Sequence, residues 1–258
     1  MQRHFYNLFL VSAFLISLST VSFAQAKKKN VGKKAAAIST KKTETNAAIL
    51  EPWKQLDTKE RLLEITTPYG TMIAKLYDST PLHRDNFVKL VQQKFYDSLL
   101  FHRIIDGFMI QGGDPTSKNA PIEAQLGSGS APGERIPAEF RPYFIHKKGA
   151  LAAARDMNPE KASSNCQFYI VQGKPIAEQD FSTGIEKQVK NSNPSFSYTK
   201  AQKETYSRLG GTAFLDQSYT VFGEVISGLD VIDKIAKAPK QPGDRPNTNI
   251  PMKIRLIN

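Results

Sequence analysis

The chain has few of the residue types that build disulfide frameworks and metal centres. Its 258 residues include one cysteine, Cys166, which excludes an internal disulfide and any multi-cysteine metal site. Its four histidines, at positions 4, 83, 102 and 146, lack the spacing of metal ligands, so neither a metal ion nor another cofactor is expected. Apolar residues are not scarce. They make up 40% of the chain, which is enough for a globular core and excludes wholesale disorder.

Acidic residues are scarce relative to basic ones, with 24 Asp and Glu against 35 Lys and Arg and a formal net charge of +11. Residues 25–59 alone hold nine lysines and three acids, whereas residues 60–258 carry only about +4 in total. This distribution does not support a basic groove across the folded part of the chain. The lysines also lack interleaved aromatic residues, so no nucleic-acid partner is expected.

Residues 1–24 have the pattern of a signal peptide. Arg3 supplies a short basic region, Leu8 to Val21 forms an apolar stretch, and Ser22-Phe23-Ala24 resembles a small-x-small cleavage site. An uncleaved membrane anchor is the alternative, but the apolar stretch is short for a membrane span. The pattern therefore predicts an exported protein of the periplasm or cell envelope.

Residues 25–59 are predicted to form a basic and mostly disordered linker. The first half of this segment combines lysine with Ala, Ser and Thr and has too few large apolar groups to offset the entropy of ordering the chain. The linker is either a solvated spacer or a weak electrostatic contact to anionic headgroups or polyanionic polymers of the envelope surface.

Residues 60–258 are predicted to form one domain that consists mainly of β-strands. Two amphipathic helices accompany the strands, one beginning after Thr80 as a hydroxyl cap with Pro81 behind it, and one over Ser227–Ala238. Many short strands with two helices favour an antiparallel barrel or sandwich over a parallel sheet. The predicted strands lie in Arg61–Thr66, Thr71–Tyr77, Phe101–Gln111, Gly149–Arg155, Gln167–Gln172 and Tyr219–Val225.

A polar stretch of 39 residues, 173–211, separates the later strands. It contains a helix candidate, Lys200–Leu209, with Thr199 as its predicted N-cap and Gly210 at its end. An unstructured loop of this length would be unusual in a compact domain, so the stretch is interpreted as a helical insertion.

The segment Phe101–Pro115, FHRIIDGFMIQGGDP, carries the clearest chemical signal. Arg103 within an apolar strand is costly unless it faces a cleft or a partner. Gln111 follows eight residues later, so the two side chains would share one face of an unbroken strand. With Phe108 and Met109 nearby, the segment combines apolar surface with a few convergent polar groups, as small-ligand sites do.

This segment resembles the signature F-H-R-I-I-x-G-F-M-x-Q-G-G-D of the cyclophilin-type peptidyl-prolyl cis-trans isomerases. Further matching stretches follow in the same order, over the range from residue 61 to residue 258 apart from the insertion. The resemblance implies an eight-stranded, antiparallel, closed β-barrel capped by two α-helices. The additional matches are Gly149–Arg155, Ser164–Ile170, Phe214–Asp216 and Val221–Val225.

The resemblance also implies roles for individual residues. Arg103 would donate to the prolyl nitrogen or carbonyl and Gln111 would hold the guanidinium, which makes these two the expected catalytic residues. The expected substrate-binding residues are Phe108, Met109, Leu215 and Tyr169 in the wall of the proline pocket, Ala154 and Gln167 in the groove for the preceding residues, and the aromatic residues Phe214 and Tyr219.

Simpler interpretations stay open for several of these residues. Arg103 could form a structural salt bridge, Phe108 and Met109 could be core residues, and Gln167 could satisfy backbone groups. His102 is left out of the catalytic set because the reaction needs no proton transfer. Cys166 is expected to be a small buried apolar residue.

The function implied by the resemblance is isomerisation of X–Pro bonds during the folding of exported proteins, by a monomer whose partners are proline-containing polypeptides. The alternative is a chaperone or scaffold module that binds such chains with little turnover. Where many eukaryotic members have Trp, this chain has Phe214, and where they have His it has Tyr219. Loss of the indole N–H, a donor that the family uses for cyclosporin, predicts weak inhibition by that compound.

Overall fold

The structure is a computed structural model that describes residues 61–257, so the signal peptide and linker predicted for residues 1–59 lie outside the described residues. Its strands form an eight-stranded sheet with the order β3-β4-β6-β5-β7-β2-β1-β8, and all neighbouring pairs are antiparallel. The predicted mainly-β, antiparallel architecture is thus confirmed. The strands are β1 Leu62–Thr67, β2 Gly70–Leu76, β3 Phe101–Ile105, β4 Met109–Gly112, β5 Ala150–Ala153, β6 Phe168–Val171, β7 Val221–Ser227 and β8 Lys253–Leu256.

The sheet is open, so the prediction of a closed barrel is wrong. The two edge strands, β3 and β8, approach each other only through the irregular segments beside them, where Leu100 and Pro251 form an isolated bridge. Backbone hydrogen bonds from Ser98 to Met252 and from Met252 to Leu99 support that bridge at 3.0 and 2.8 Å. Pro251 lacks an N–H and β8 has only four residues, so a continuous ladder cannot form at this junction.

Two helices pack against the sheet, α1 at Pro81–Gln92 and α5 at Leu229–Ala236. Both lie where the sequence predicts them, but the expected cap of α1 is wrong. The Thr80 hydroxyl donates to the Tyr77 carbonyl at 3.3 Å and accepts no helix N–H. The carboxylate of Glu139 accepts the N–H groups of the first turn instead, from a position 56 residues further along the chain.

The insertion is helical, as predicted, and it contains its own apolar cluster. Its segments are α2 at Glu178–Asp180, a π-helical turn at Phe181–Ile185, α3 at Glu186–Lys190 and α4 at Lys200–Leu209. Helix α4 has the predicted bounds, and Thr199 and Gln202 cap each other reciprocally at its start. Within residues 61–257, no helix combines the length and the hydropathy needed to cross a membrane.

The sheet is buried on both faces around its central strands. Along β5, Leu151 and Ala153 face the main core under the helices, whereas Ala150 and Ala152 face a second apolar cluster. Strand β6 alternates in the same way, which is the two-residue period of a β-strand. The second cluster lies on the face of the sheet that carries the site described next. Its fully buried members are Met109, Ala150, Ala152, Ala154, Tyr169, Val171 and Val221.

Candidate active site

One row of side chains crosses four neighbouring strands at the same level. Arg103 on β3 is the register partner of Gln111 on β4, Gln111 is the partner of Tyr169 on β6, and Tyr169 is the partner of Ala152 on β5. Directly opposed residues in an antiparallel sheet place their side chains on the same face. The pairing of strands therefore brings the arginine, the glutamine and the tyrosine together.

A tight turn between β3 and β4 produces this pairing. Gly107 adopts φ +76°, and its N–H donates to the Gln172 side chain at 2.5 Å. Arg103 and Gln111 consequently face each other across a hairpin and do not lie along one unbroken strand. The conclusion that the two side chains share a face is nevertheless confirmed, because both arrangements preserve the alternation of the strand.

The guanidinium of Arg103 is held loosely and stays accessible. Its Nη1 lies 3.5 Å from Gln111 Oε1, its Nε lies 3.6 Å from a carboxylate oxygen of Asp244, and 44% of the side chain is exposed. Both contacts are long, and two contacts cannot satisfy the five N–H donors of the guanidinium. The group is therefore oriented from two sides and keeps donors for a ligand.

Gln111 belongs to a chain of amide hydrogen bonds that ends in a loop. Its Nε2 donates to Gln167 Oε1 at 3.2 Å, and Gln167 Nε2 donates to the carbonyls of Gly127 and Gly129 at 3.0 and 2.8 Å. The simpler interpretation of Gln167, that it satisfies backbone groups, thus holds alongside a position next to Gln111. Because the Nε2 of Gln111 donates to Gln167, its Oε1 is the amide atom that faces Arg103.

The same loop is held from its other side by Asp114. The buried carboxylate accepts N–H groups from Gly127, Gly129 and Thr116, the last at 2.8 Å. Burial opposes ionisation, but these hydrogen bonds outweigh it, and the pKa of Asp114 lies below its ordinary value. The loop is thereby clamped between an aspartate and a glutamine.

A cavity of about 170 Å³, lined by both apolar and polar side chains, opens beside Arg103 and Gln111. The sequence prediction had assigned most of its lining, but Phe214 is outside it. That ring stacks on Phe108 at 5.7 Å and is 42% exposed. The cavity is lined by Arg103, Phe108, Met109, Gln111, Ala154, Arg155, Tyr169, Leu215 and Tyr219.

A larger and more polar groove of about 590 Å³ adjoins the cavity and shares Gln111, Ala154 and Arg155 with it. Gln167 lines this groove, so the sequence prediction placed Gln167 and Ala154 together correctly. Sequence reasoning missed Arg155 as a site residue. Its guanidinium lies over the ring of Tyr219 at 4.5 Å, and its Nε donates to the Ser218 carbonyl at 3.0 Å. In the sequence, Arg155 could have been noticed as a single charged residue just beyond the apolar strand β5.

His102, next to Arg103, points away from the cavity and is buried. Neither ring nitrogen has a hydrogen-bond partner among residues 61–257. Burial lowers the pKa of His102 to about 4 and outweighs the opposing effect of the Asp114 carboxylate. The positive charges of Arg103 and Arg245 lower this pKa further. The imidazole is therefore neutral at neutral pH and leaves Arg103 without a charged neighbour on that side.

The folded protein is expected to lose stability between pH 6.5 and 4 because of His102. An unfolded histidine binds a proton as the pH falls below about 6.5, whereas the folded one resists until about 4. The contribution of neutral His102 to the free energy of unfolding is fully present above pH 6.5, and about 3 kcal/mol of it is lost by pH 4. Urea unfolding at pH 7 and 4.5 should show a smaller decrease for His102→Asn than for the wild type. His83 is present in both proteins and cancels, so equal decreases would contradict the assignment.

Comparisons with known proteins show which family the chain belongs to. Residues 62–255 match the family model of the cyclophilin type peptidyl-prolyl cis-trans isomerase/CLD. The chain belongs to the cyclophilin-type peptidyl-prolyl cis-trans isomerases, and its activity is that of this enzyme family. This confirms the family and the activity that the sequence implies.

Relatives named as peptidyl-prolyl cis-trans isomerases occur in staphylococci. The protein of Staphylococcus saprophyticus is 34% identical over 193 residues, and the match covers 74% of this chain and 89% of that protein. A protein of Staphylococcus epidermidis is 32% identical over 194 residues, with coverages of 75% and 89%.

The fold resembles that of a crystal structure of a cyclophilin-type peptidyl-prolyl cis-trans isomerase from Cryptosporidium parvum. The TM-score is 0.56 at 22% identity, and the match covers 77% of this chain and 98% of the other. A second structure of that protein was solved in the presence of the dipeptide Ala-Pro and gives a TM-score of 0.55.

Proposed function

We propose that this protein accelerates X–Pro isomerisation in exported proteins as they fold in the periplasm or cell envelope. Arg103 is the catalytic residue, and Gln111 assists it by orienting the guanidinium. The observation that carries the proposal is the position of an accessible arginine beside a small cavity that has Phe108, Met109 and Leu215 in its lining. Gln111 and Asp244 hold the guanidinium without saturating it.

The chemistry follows from the electronic structure of the amide bond. Conjugation gives rotation about an X–Pro bond a barrier of roughly 18–20 kcal/mol, and the uncatalysed event takes tens to hundreds of seconds. In the twisted state the prolyl nitrogen regains its lone pair and accepts a hydrogen bond. A guanidinium at that position stabilises the twisted state more than either planar state, and this difference accelerates the reaction.

The cavity provides the second requirement, a grip on the prolyl ring. Met109 and Tyr169 are buried, and Phe108 and Leu215 are partly buried around the same space. Burial raises the pKa of the Tyr169 phenol, so this wall stays neutral. The Cryptosporidium parvum structure solved with Ala-Pro supports a proline-containing peptide as the ligand here. The groove beside Ala154 and Gln167 would receive the preceding residues.

Export and the basic linker complete the proposal. Residues 1–24 would direct the chain out of the cytoplasm, and the lysines of residues 25–59 would space the enzyme from the envelope surface or hold it there weakly. The catalytic domain would act as a monomer on unfolded chains. Binding without turnover, as in a chaperone or scaffold, is the competing outcome of the test below.

The proposal is tested with the chain produced in a bacterial host. Mass spectrometry of the protein recovered from the periplasmic fraction should find Gln25 at the N-terminus. This material should accelerate the proline-limited refolding phase of an exported client protein at a molar ratio well below one. Recovery of the intact chain in the cytoplasm would contradict export. Slower or unchanged refolding, with stoichiometric binding of the client, would favour the chaperone interpretation.

Cyclosporin is expected to inhibit the protein weakly. Phe214 lies on the outside of Phe108 and has no N–H to donate. Introducing a donor with Phe214→Trp should lower the inhibition constant by about tenfold, the value of one hydrogen bond of roughly 1.4 kcal/mol. Inhibition of prolyl-peptide isomerisation measures both proteins. Nanomolar inhibition of the wild type would contradict this role of Phe214.

A further inference from the structure

A buried aspartate connects the insertion to the active site. Asp216 is fully buried, and its Oδ2 accepts hydrogen bonds from the hydroxyls of Tyr198 and Tyr206 at 2.7 and 2.6 Å. Both tyrosines belong to the insertion, one preceding α4 and one within it. Its Oδ1 accepts the backbone N–H of His146 at 2.8 Å and the Nδ1 of the same residue at 2.7 Å.

The connection continues from His146 to the cavity. The carboxylate of Asp216 requires a proton on Nδ1, which in a neutral ring leaves Nε2 as an acceptor. Nε2 lies 2.9 Å from the hydroxyl of Tyr169, and the two rings are stacked with 6.0 Å between centroids. Tyr169 is the residue that stands opposite Gln111 and lines the cavity. A continuous series of hydrogen bonds thus runs from the insertion to the wall of the proline site.

Every side chain of this series is buried, with Tyr198 the most exposed at 7%. Burial and the charge of Asp216 raise the pKa of Tyr198 and of Tyr206, so both phenols keep the protons that they donate. Buried polar groups of this kind hold a single arrangement, because an alternative would leave one of them unpaired. The series is therefore suited to fixing the orientation of a ring.

We infer that the insertion, residues 173–211, is a positioning element of the active site. Tyr198 and Tyr206 act through Asp216 and His146 to fix Tyr169 in the wall of the cavity that holds the prolyl ring. The inference rests on the proposed role of that cavity and assigns the insertion a task within the same polypeptide. Tyr198 and Tyr206 are positioning residues, since neither lines the cavity.

Aromatic packing within the insertion holds the rings of Tyr198 and Tyr206 in place. Tyr198 and Tyr206 join Phe181 and Phe196 in an aromatic cluster, with ring centroids 4.8 to 6.0 Å apart where they are in contact. The Tyr198 hydroxyl also lies 2.9 Å from the Ala213 carbonyl, two residues before the cavity residue Leu215. Rigid aromatic packing on one side and hydrogen bonds on the other leave the hydroxyls little freedom.

The inference is tested with Tyr206→Phe and Tyr198→Phe, which remove one hydroxyl each and keep the rings. Misplacement of a wall that grips the substrate in both ground and transition states raises KM and leaves kcat nearly unchanged. For a prolyl tetrapeptide, KM should rise about three- to tenfold, because the prolyl ring is gripped less well in both states. Purely structural damage would reduce the folded fraction and therefore lower the apparent kcat at constant KM. Tyr143→Phe, at an exposed tyrosine of the same domain, is the matched control and should leave both constants unchanged.

A double variant tests the path through Tyr169. Tyr169→Phe breaks the last hydrogen bond, so Tyr206→Phe should raise KM less in that background than in the wild type. The inference would be overturned if Tyr206→Phe and Tyr198→Phe both had the wild-type KM. It would also be overturned if the effects of Tyr206→Phe and Tyr169→Phe on KM were additive. If Tyr206→Phe does not fold, Tyr198→Phe decides. Absence of isomerisation by the wild type would contradict the proposed function itself and is distinguishable from these outcomes.

Discussion

Replacing Arg103 with alanine is expected to lower kcat/KM for a prolyl tetrapeptide by about 10²- to 10³-fold, the loss typical of removing a donor that stabilises a transition state. The free energy of unfolding should change by no more than about 0.5 kcal/mol, because the side chain is 44% exposed and its ion pair with Asp244 is long at 3.6 Å. A protease-coupled isomerisation assay and a urea titration measure the two quantities.

Two further variants separate charge from geometry at this position. Arg103→Lys keeps the charge but loses the planar fork, so it should recover only part of the activity. Arg255→Ala removes an exposed arginine at the opposite edge of the sheet, where it pairs with Glu64 at 2.7 Å, and should leave kcat/KM unchanged. Full activity in Arg103→Ala would remove this residue from the mechanism and support its interpretation as a structural salt bridge.

Replacing Glu139 with alanine is expected to cost about 3–5 kcal/mol of stability, because three donors, two of them buried, lose their acceptor together. The carboxylate accepts the N–H groups of Leu82 and His83 at 3.2 and 3.0 Å and the Nδ1 of His83 at 2.7 Å. The other ring nitrogen of His83 lies 3.0 Å from the Ser163 hydroxyl, so the damage would extend to a second loop. Thermal and urea unfolding measure the loss.

Thr80→Ala is the matched control for the capping of α1. Its hydroxyl makes one long hydrogen bond, to the Tyr77 carbonyl at 3.3 Å, and caps no helix N–H. The variant should lose about 1 kcal/mol, the net value of one ordinary hydrogen bond. A loss in Thr80→Ala as large as in Glu139→Ala would show that the threonine caps the helix.

Local sequence signals predicted most of the individual elements. The run Thr71–Tyr77 was predicted as a strand, and β2 covers Gly70–Leu76. Capping residues placed α4 at its observed bounds, because a helix start depends on hydrogen bonds within a few residues. Strand β8 was missed, since four residues with alternating exposure give too short a pattern to stand out.

Features that depend on distant residues could not be predicted in this way. The cap of α1 comes from Glu139, and no local pattern relates that residue to Thr80. The open sheet depends on where β8 lies relative to β3, and these two strands are far apart in the chain. The polar series around Asp216 joins residues 146, 169, 198, 206 and 216, whose relation appears only after folding.

The residues of the candidate site also differ in how well local sequence signals predicted them. Residues of the signature segment, such as Phe108, Met109 and Gln111, lie together because a hairpin of adjacent residues places them there. Phe214 was assigned to the site because it stands where many family members have Trp. Successive residues of a short 3₁₀ turn point in different directions, and of these two only Leu215 lines the cavity.

Catalysis at Arg103 is tested most directly by NMR exchange spectroscopy on an isotope-labelled prolyl peptide, with the wild-type protein at about one-twentieth of the peptide concentration. Cross peaks between the cis and trans forms are expected within one second, against tens to hundreds of seconds without enzyme. Arg103→Ala is expected to bind the peptide but to give no cross peaks. Peptide binding by the wild type without exchange would contradict catalysis at this site.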